Sequence, residues 1–126
     1  MKIKLGYEVQ KTILFEKLVK DLSKNFRSIG FDIDVFTDAL DDKSKLGINL
    51  GNNVYKARIA NSNKNKGKSA GYRLISYLKL ENKTLTYIYI YDKSQLENIS
   101  EDKLDKIVLE MLKENELSWR APNIAE

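Results

Sequence analysis

The sequence GYRLISYLKLENKTLTYIYIY spans residues 71–91 and decides the fold. Two runs rich in aromatic and β-branched residues, 71–80 and 85–91, flank the polar segment 81–84, which has the composition of a hairpin turn. Residues 54–60, VYKARIA, alternate in the same way between apolar and charged side chains. The pattern predicts three consecutive antiparallel strands, with a long basic loop at 61–69 between the first two.

Alternate residues of a strand face opposite sides of the sheet, so each predicted strand has two distinct faces. The mainly apolar faces carry Tyr55, Ala57, Ile59, Tyr72, Leu74, Leu78, Leu80, Ile88 and Ile90. The opposite faces carry Lys56, Arg58, Arg73, Ile75, Tyr77, Lys79, Tyr87, Tyr89 and Tyr91. Tyrosines stack on bases and cations bind phosphates, so the second face predicts an RNA-binding surface. The alternative is the solvent face of a half-exposed sheet, because tyrosine is also a good strand former.

A helical hairpin is predicted on the N-terminal side of these strands. After a short strand at 3–9, Thr12 is placed to cap a helix over about 13–27 whose apolar residues recur every three and four positions. Gly30 breaks the chain, and Asp32 begins a second helix that runs to about residue 42 with its aspartates mostly in solvent. The hairpin is expected to cover the apolar face of the sheet.

The remaining segments complete an α+β prediction in the order β-α-α-β-β-β-α. Gly47, Gly51 and the pair Asn52-Asn53 mark a loop before the three strands. Ser100 is a good N-cap for a last helix over 101–114. One domain over 1–116 is expected, followed by a loosely ordered tail at 117–126.

The charge of the chain is divided unevenly along its length. The formal net charge is +4, but residues 43–80 hold nine bases and no acid, whereas residues 30–42 hold five aspartates and no base. Such a basic segment is typical of a protein that binds an anionic partner. A charged surface that serves only solubility remains the alternative.

Composition excludes several classes of function. The chain has no histidine and no cysteine, so it has no disulfide framework, thiol nucleophile or Cys/His zinc site. Proton transfer must therefore use tyrosine, lysine or a carboxylate. Gly67-Lys68-Ser69 lacks the earlier glycine and the following helix of a phosphate-binding P-loop. No apolar run is long enough for a membrane span or resembles a signal peptide, which predicts a soluble cytoplasmic protein.

Four segments together resemble the RelE/ParE superfamily of bacterial toxins, and the HigB-type RelE toxins most of all. They are 54–60 (VYKARIA), 67–77 (GKSAGYRLISY), 89–94 (YIYDKS) and 97–100 (ENIS). The resemblance implies a RelE/ParE-like fold, in which a helical hairpin packs on a small antiparallel sheet. It also implies the toxin of a type II toxin–antitoxin system, with a cognate antitoxin, messenger RNA and the ribosome, near the 16S RNA of the A site, as partners.

The resemblance further implies a metal-independent endoribonuclease without a cofactor, an mRNA interferase that inhibits translation. Its catalytic residues would be Lys56, Arg58, Arg73 and Lys93, with Tyr91 in place of a tyrosine that some relatives carry beyond the last strand. The ribose 2′-hydroxyl would attack the adjacent phosphate while Arg73 holds the phosphate oxygens. RNA or the ribosome would contact the loop lysines Lys64, Lys66 and Lys68 and the sheet residues Tyr77, Lys79 and Tyr89.

Two alternatives from other classes stay open at this point. ParE-like members of the superfamily share the fold but inhibit DNA gyrase without cutting RNA. A plain RNA-binding module would bind RNA without cleavage or toxicity.

Overall fold

Six strands form one mixed sheet in a computed structural model that describes residues 2–65, 67–114 and 124–125. The strands are β1 (Glu8–Thr12), β2 (Ile48–Gly51), β3 (Val54–Ile59), β4 (Tyr72–Lys79), β5 (Thr84–Asp92) and β6 (Ile124–Ala125). The helices are α1 (Ile13–Ser23), α2 (Ile29–Asp38) and α3 (Glu101–Glu114), with single 3₁₀ turns at Lys43–Leu46, Lys68–Ala70 and Lys93–Gln95. The strand order across the sheet is β2-β3-β4-β5-β1-β6.

The three central strands confirm the prediction from their alternating sequence. β3 pairs antiparallel with β4, and β4 pairs antiparallel with β5. The α+β class is also confirmed, and α3 begins and ends where its apolar pattern predicts. Ser100 caps α3, since its hydroxyl accepts a hydrogen bond from the Lys103 N–H. Among the described residues, no helix is long and apolar enough to cross a membrane.

The first strand lies later in the sequence than predicted. Residues 3–7 form a tight turn in which the Ile3 N–H donates to the Tyr7 carbonyl and Gly6 adopts a φ of +88°. The strand therefore begins at Glu8 instead of residue 3, and it pairs parallel with β5. Most of the predicted tail at 117–126 lies outside the described residues, apart from Ile124–Ala125, which pairs with β1.

The break between the first two helices also differs from the prediction. α1 ends at Ser23 and α2 begins at Ile29, so Gly30 lies inside α2. The start of α2 is fixed by a distant loop: the Ser28 N–H donates to the Asn63 side chain, and Ser62 donates twice to Asp32. Asp32 is consequently buried in the first turn of α2 instead of capping it in solvent. Nothing local in the sequence signals these partners.

The predicted loop before β3 contains an additional strand, β2. Asn52 and Asn53 have φ angles of 53° and 62°, which a tight two-residue turn between antiparallel strands requires. Asparagine tolerates this left-handed region better than most residues. The pair therefore marks a hairpin between β2 and β3.

Helices cover both faces of the sheet. α1 and α2 pack on one face over a core that includes Phe15, Ile33 and Leu74. α3 packs on the other face through Val108 and Leu112. The prediction of an open face of cations and tyrosines is therefore wrong in part, because α3 covers much of it.

A bulge in β5 moves one tyrosine to the opposite face. Ile75 pairs with Tyr89 whereas Ser76 pairs with Tyr87, so one extra residue of β5 breaks the alternation. Tyr87 consequently packs against Phe15 at 5.5 Å between ring centroids, below the helical hairpin. The sequence pattern had placed Tyr87 with Tyr89 on the other face.

Gly47 should tolerate no side chain, whereas Gly30 should. A Cβ at Gly47 would lie 2.0 Å from the Lys56 carbonyl oxygen, and the φ of Gly47 is +95°. We expect Gly47→Ala to lower the free energy of unfolding by more than about 2 kcal/mol. The control Gly30→Ala, with no atom within 4 Å of the added Cβ, should raise it by about 0.5 kcal/mol. Urea denaturation measures both, and equal effects would contradict the packing at Gly47.

Candidate active site

Two buried cations converge on one anionic oxygen beneath α3. Lys56 Nζ lies 2.6 Å from Glu101 Oε2, and Arg73 Nε lies 3.2 Å from the same oxygen. Lys56 also forms a salt bridge with Asp105. β3 and β4 supply the cations from the sheet, and the first two turns of α3 supply the carboxylates. We call these four residues, together with Tyr91, the charged cluster.

Arg73 is fully buried and also holds the neighbouring turn. Its terminal nitrogens donate to the carbonyls of Lys68 at 3.2 Å and Ser69 at 2.9 Å. The guanidinium suits this task because its donors form a planar fork. Arg73 therefore connects β4, the turn at Lys68–Ala70 and α3.

Tyr91 joins the charged cluster through Asp105. Its hydroxyl donates to Asp105 Oδ1 at 3.2 Å. Burial raises the pKa of Tyr91 well above its usual value of 10, and the charges of Asp105 and Glu101 raise it further. Tyr91 thus keeps its proton at neutral pH and acts as a hydrogen-bond donor, not as a base.

Lys56 and Glu101 are both ionised at neutral pH. Burial, the largest single effect, lowers the pKa of Lys56, but the hydrogen bonds that Lys56 donates to Asp105 and Glu101 outweigh it and leave that pKa above 10.5. Burial likewise raises the pKa of Glu101, but Lys56 and Arg73 bring it below 4.5. Lys56 therefore keeps its proton at neutral pH and acts as a cation, not as a base.

Sequence reasoning missed the two carboxylates. Neither Glu101 nor Asp105 was among the predicted site residues. Their spacing of four places them on the same side of α3 as Val108 and Leu112, both of which are buried. The sequence signal that could have found them is that Glu101 and Asp105 continue the apolar stripe of α3 towards its N-terminus.

Three exposed cations lie around the charged cluster. Arg58 pairs with Arg73 in the β3–β4 register, Lys68 gives its carbonyl to Arg73, and the Lys93 N–H donates to the Gly71 carbonyl at 3.0 Å. The structure thus brings Arg58, Lys68 and Lys93 to the end of the sheet where the sequence predicts a catalytic site. Their side chains are exposed to solvent.

The side chain of Lys64 is bound within the fold, whereas that of Lys68 is exposed. Its Nζ lies 2.6 Å from Asp92 Oδ2, donates to the Ala70 carbonyl at 2.9 Å, and lies 5.5 Å from the centre of the Phe26 ring. Asp92 is completely buried and also accepts from Asn61. Lys64 therefore anchors the basic loop to the end of β5. Lys66 lies outside the described residues.

The remaining predicted contact residues are not grouped with the charged cluster. Lys79 pairs with Thr84 at the far end of β4, about 20 Å along the strand from Arg73 at 3.3 Å per residue. Tyr77 and Tyr89 are half-buried and pack against the core under α3. Their role in RNA binding stays a prediction.

Both carboxylates of the charged cluster form ion pairs with its cations. No group of three acidic side chains within residues 2–65, 67–114 and 124–125 is arranged to hold a metal ion. What the arrangement can do is bind an anion: two cations aimed at one oxygen will hold a phosphate oxygen as well as a carboxylate.

Comparison with known families agrees with the geometry. A family model described as "RelE toxin of RelE / RelB toxin-antitoxin system" matches residues 15–118, which is well over half of the chain. The search of curated proteins found no match to the chain.

The charged cluster should make the free energy of unfolding decrease in acid. The pKa of Glu101 is lower in the folded chain than its ordinary value of 4.5, so its stabilisation is present above that pH and is lost as pH falls through the folded pKa. We expect Glu101→Gln to lose less stability between neutral and acid pH than the native chain. Urea denaturation at several pH values measures this, with Glu97→Gln, an exposed glutamate, as control. An unchanged acid slope in Glu101→Gln would contradict the ion pairs.

Lys64 and Lys68 should differ in their effect on stability. Lys64→Ala leaves the buried Asp92 without its cation, which should cost about 3 kcal/mol. Lys68→Ala removes the same charge from an exposed position of the same loop and should change stability by less than about 0.5 kcal/mol. Thermal and urea unfolding compare the two variants. Equal stability would show that the Lys64–Asp92 pair is not an anchor.

Proposed function

Because this chain belongs to the RelE family of toxins from toxin–antitoxin systems, we propose that it is an endoribonuclease that cuts messenger RNA on the ribosome. An antitoxin partner follows from the family. The proposal also includes dependence on the ribosome, with action at the A site in the cytoplasm. It further includes a metal-independent reaction and membership of the HigB-type subgroup.

One observation carries the proposal: Lys56 Nζ and Arg73 Nε point at a single anionic oxygen of Glu101. Cleavage through the 2′-hydroxyl develops negative charge on the non-bridging oxygens of the phosphate, and two fixed cations stabilise that charge. The Glu101 carboxylate stands where a phosphate oxygen would bind. Glu101 is only partly buried, with 24% of its side chain exposed, so it can give way to the substrate.

The proposed reaction uses groups of the RNA, side chains of this protein and solvent. The 2′-oxygen forms a bond to phosphorus as the bond to the 5′-oxygen breaks, which leaves a cyclic phosphate and a 5′-hydroxyl. Once displaced, the ionised Glu101 accepts the proton of the 2′-hydroxyl, and the 5′-oxygen takes up a proton from solvent. Tyr91, which stays protonated, donates a hydrogen bond within the cluster.

The exposed cations would bind the RNA backbone on either side of the cut. Arg58, Lys68 and Lys93 surround the charged cluster and face solvent. Each phosphate contact of this kind contributes about 0.7 to the slope of log affinity against log salt for a single strand. We propose that these three residues align the RNA, and that Lys56 and Arg73 stabilise the transition state.

Arg58 offers a cleaner test than Arg73, because Arg73 is buried and holds the loop. We expect Arg58→Ala to lower cleavage of ribosome-bound messenger RNA by about tenfold or more while the fold is kept. The matched control is Arg27→Ala, an exposed arginine at the turn between α1 and α2, which should cleave normally. Primer extension on programmed ribosomes measures both. Intact messages with DNA breakage would favour gyrase inhibition instead, and binding without cleavage would favour a plain RNA-binding module.

Glu101→Gln should separate binding from chemistry. Neutralising Glu101 removes the carboxylate that competes with phosphate for Lys56 and Arg73, so RNA should bind more tightly, whereas loss of the proton acceptor should lower kcat by about a hundredfold. Single-turnover cleavage and RNA titration measure the two effects, with Asp102→Asn, its neighbour in the first turn of α3, as control. Weaker RNA binding by Glu101→Gln would contradict the exchange of a carboxylate for a phosphate.

A further inference from the structure

The turn at Lys68–Ala70 is held from two sides by the side chains of Arg73 and Lys64. The terminal nitrogens of Arg73 donate to the carbonyls of its first two residues, and Lys64 Nζ donates to the third, the Ala70 carbonyl, at 2.9 Å. Three consecutive carbonyls of one turn thus accept hydrogen bonds from two cations. Because a hydrogen bond weakens steeply when its geometry changes, a shift of this turn must also shift the guanidinium of Arg73.

Lys64 is fixed in turn by a carboxylate that has no access to solvent. Lys64 Nζ lies 2.6 Å from Asp92 Oδ2, and the side chain of Asp92 is 0% exposed. Burial raises the pKa of Asp92, but hydrogen bonds from Lys64, Ser94 and Asn61 outweigh that effect and leave the pKa below its ordinary value of 3.8. Asp92 is therefore ionised at neutral pH and holds Lys64 by charge as well as by a hydrogen bond. We call Lys64 and Asp92 the anchor pair.

Asp92 is held in place independently of Lys64. Its carboxylate accepts hydrogen bonds from the Ser94 N–H at 3.0 Å and from the Asn61 side chain at 3.1 Å. Its own N–H donates to the Gln95 side chain at 2.8 Å, which completes a capping box. A fixed carboxylate at the end of β5 therefore determines where the ammonium of Lys64 lies.

The ammonium of Lys64 has little capacity left for RNA. A lysine ammonium has three donors, and that of Lys64 donates to Asp92 and to the Ala70 carbonyl. It also lies 5.5 Å from the centre of the Phe26 ring, within the range of a cation–π interaction. A phosphate that took Lys64 away from Asp92 would leave a buried carboxylate without its cation, which is strongly unfavourable.

The direction of the Arg73 guanidinium depends on the turn most of all when RNA is bound. In the proposed reaction a phosphate replaces Glu101, which accepts from Arg73 Nε at 3.2 Å in the free chain. The other described partners of Arg73 are the carbonyls of Tyr72, Lys68 and Ser69. The turn would then set the direction of the guanidinium, and a misplacement of about 1 Å can lower a rate by about a hundredfold.

We propose that the anchor pair positions Arg73 for catalysis, and that Lys64 itself makes no contact with RNA. Lys64 and Asp92 are thus positioning residues, which act through the turn at Lys68–Ala70. This role differs from the RNA contact that the sequence predicts for Lys64. The inference rests on the proposed function in one respect, because it needs Arg73 to act on an RNA phosphate.

The test replaces Lys64 by a thiol and then restores a lysine analogue. The chain contains no cysteine, so Lys64→Cys provides a single thiol that bromoethylamine converts into an aminoethyl side chain with an ammonium group. We expect Lys64→Cys to lower the single-turnover rate constant for cleavage of ribosome-bound messenger RNA by about tenfold or more. RNA affinity and its salt slope should stay the same, because no phosphate contact is lost. Aminoethylation should restore most of the rate.

Two other lysines provide the matched controls. Lys68→Cys changes an exposed lysine of the same loop, so it should weaken RNA binding and lower the salt slope by about 0.7. Lys20→Cys changes an exposed lysine of α1 and should cleave and bind normally. The wild-type chain treated with bromoethylamine controls for the reagent. Circular dichroism verifies that every variant is folded under the conditions of the assay.

Two outcomes would overturn the proposal. A normal rate constant in folded Lys64→Cys would show that the anchor pair serves stability alone. Weaker RNA binding with a smaller salt slope would make Lys64 an RNA contact. If Lys64→Cys does not fold, Lys64→Met combined with Asp92→Asn removes both charges together and should fold, since no buried charge is left unpaired. That variant should also cleave slowly, and normal cleavage by it would equally overturn the proposal.

Arg73 can also be observed without any reaction, which keeps the two proposals distinct. Its Nε–H is buried and bound to Glu101, so its nitrogen–proton NMR signal should exchange slowly with solvent. We expect Lys64→Cys to shift or broaden this signal, aminoethylation to restore it, and the signal of the exposed Arg58 to stay unchanged. If the wild-type chain cuts no RNA, the proposed function fails, yet the Arg73 signal still decides whether Lys64 positions Arg73.

Discussion

The structure depends on the burial of two positive charges between the sheet and α3. Neither Lys56 nor Arg73 can remain charged away from water without anionic or carbonyl partners. α3 meets that need with Glu101 and Asp105, and the turn at Lys68–Ala70 adds two carbonyls. The position of α3 on the sheet is thus set by charge at one end and by Val108 and Leu112 at the other. Because removal of either carboxylate leaves a buried cation, the helix and the sheet are energetically coupled.

This coupling bears on the proposed exchange of the Glu101 carboxylate for a phosphate. With Glu101 in place both cations have an anionic partner; in the proposed function, an RNA phosphate takes its place. Exchange of one anion for another costs much less than exposure of the bare cations. The same residues can therefore stabilise the folded chain and take part in the proposed chemistry, and mutations here will affect both properties.

The central strands could be predicted because their information is local. Alternation at 54–60, 71–80 and 85–91 gives the strands, and the same alternation puts Lys56 and Arg73 on one face. The errors came from partners that lie far away in sequence. The start of α2 is fixed by Ser62 and Asn63, and the bulge in β5 that relocates Tyr87 depends on the pairing with β4.

The candidate site was predicted in its cations but not in its anions. The basic residues follow from strand alternation and from the family motifs, whereas Glu101 and Asp105 become part of the site only when α3 is placed on that face. The ion pair of Lys64 with Asp92 was likewise not predicted, because the two residues are distant in sequence. Amphipathic patterns tell which side of a helix is buried but not against which face of a sheet it packs.

The parallel pairing of β1 with β5 has a consequence for the order in which the chain folds. Glu8 pairs with Thr84, so a chain that leaves the ribosome N-terminus first must hold β1 unpaired until almost all of the sheet has been made. α3 follows later still. Lys56 and Arg73 are therefore synthesised before Glu101 and Asp105, so neither cation has its carboxylate partner until α3 has been made.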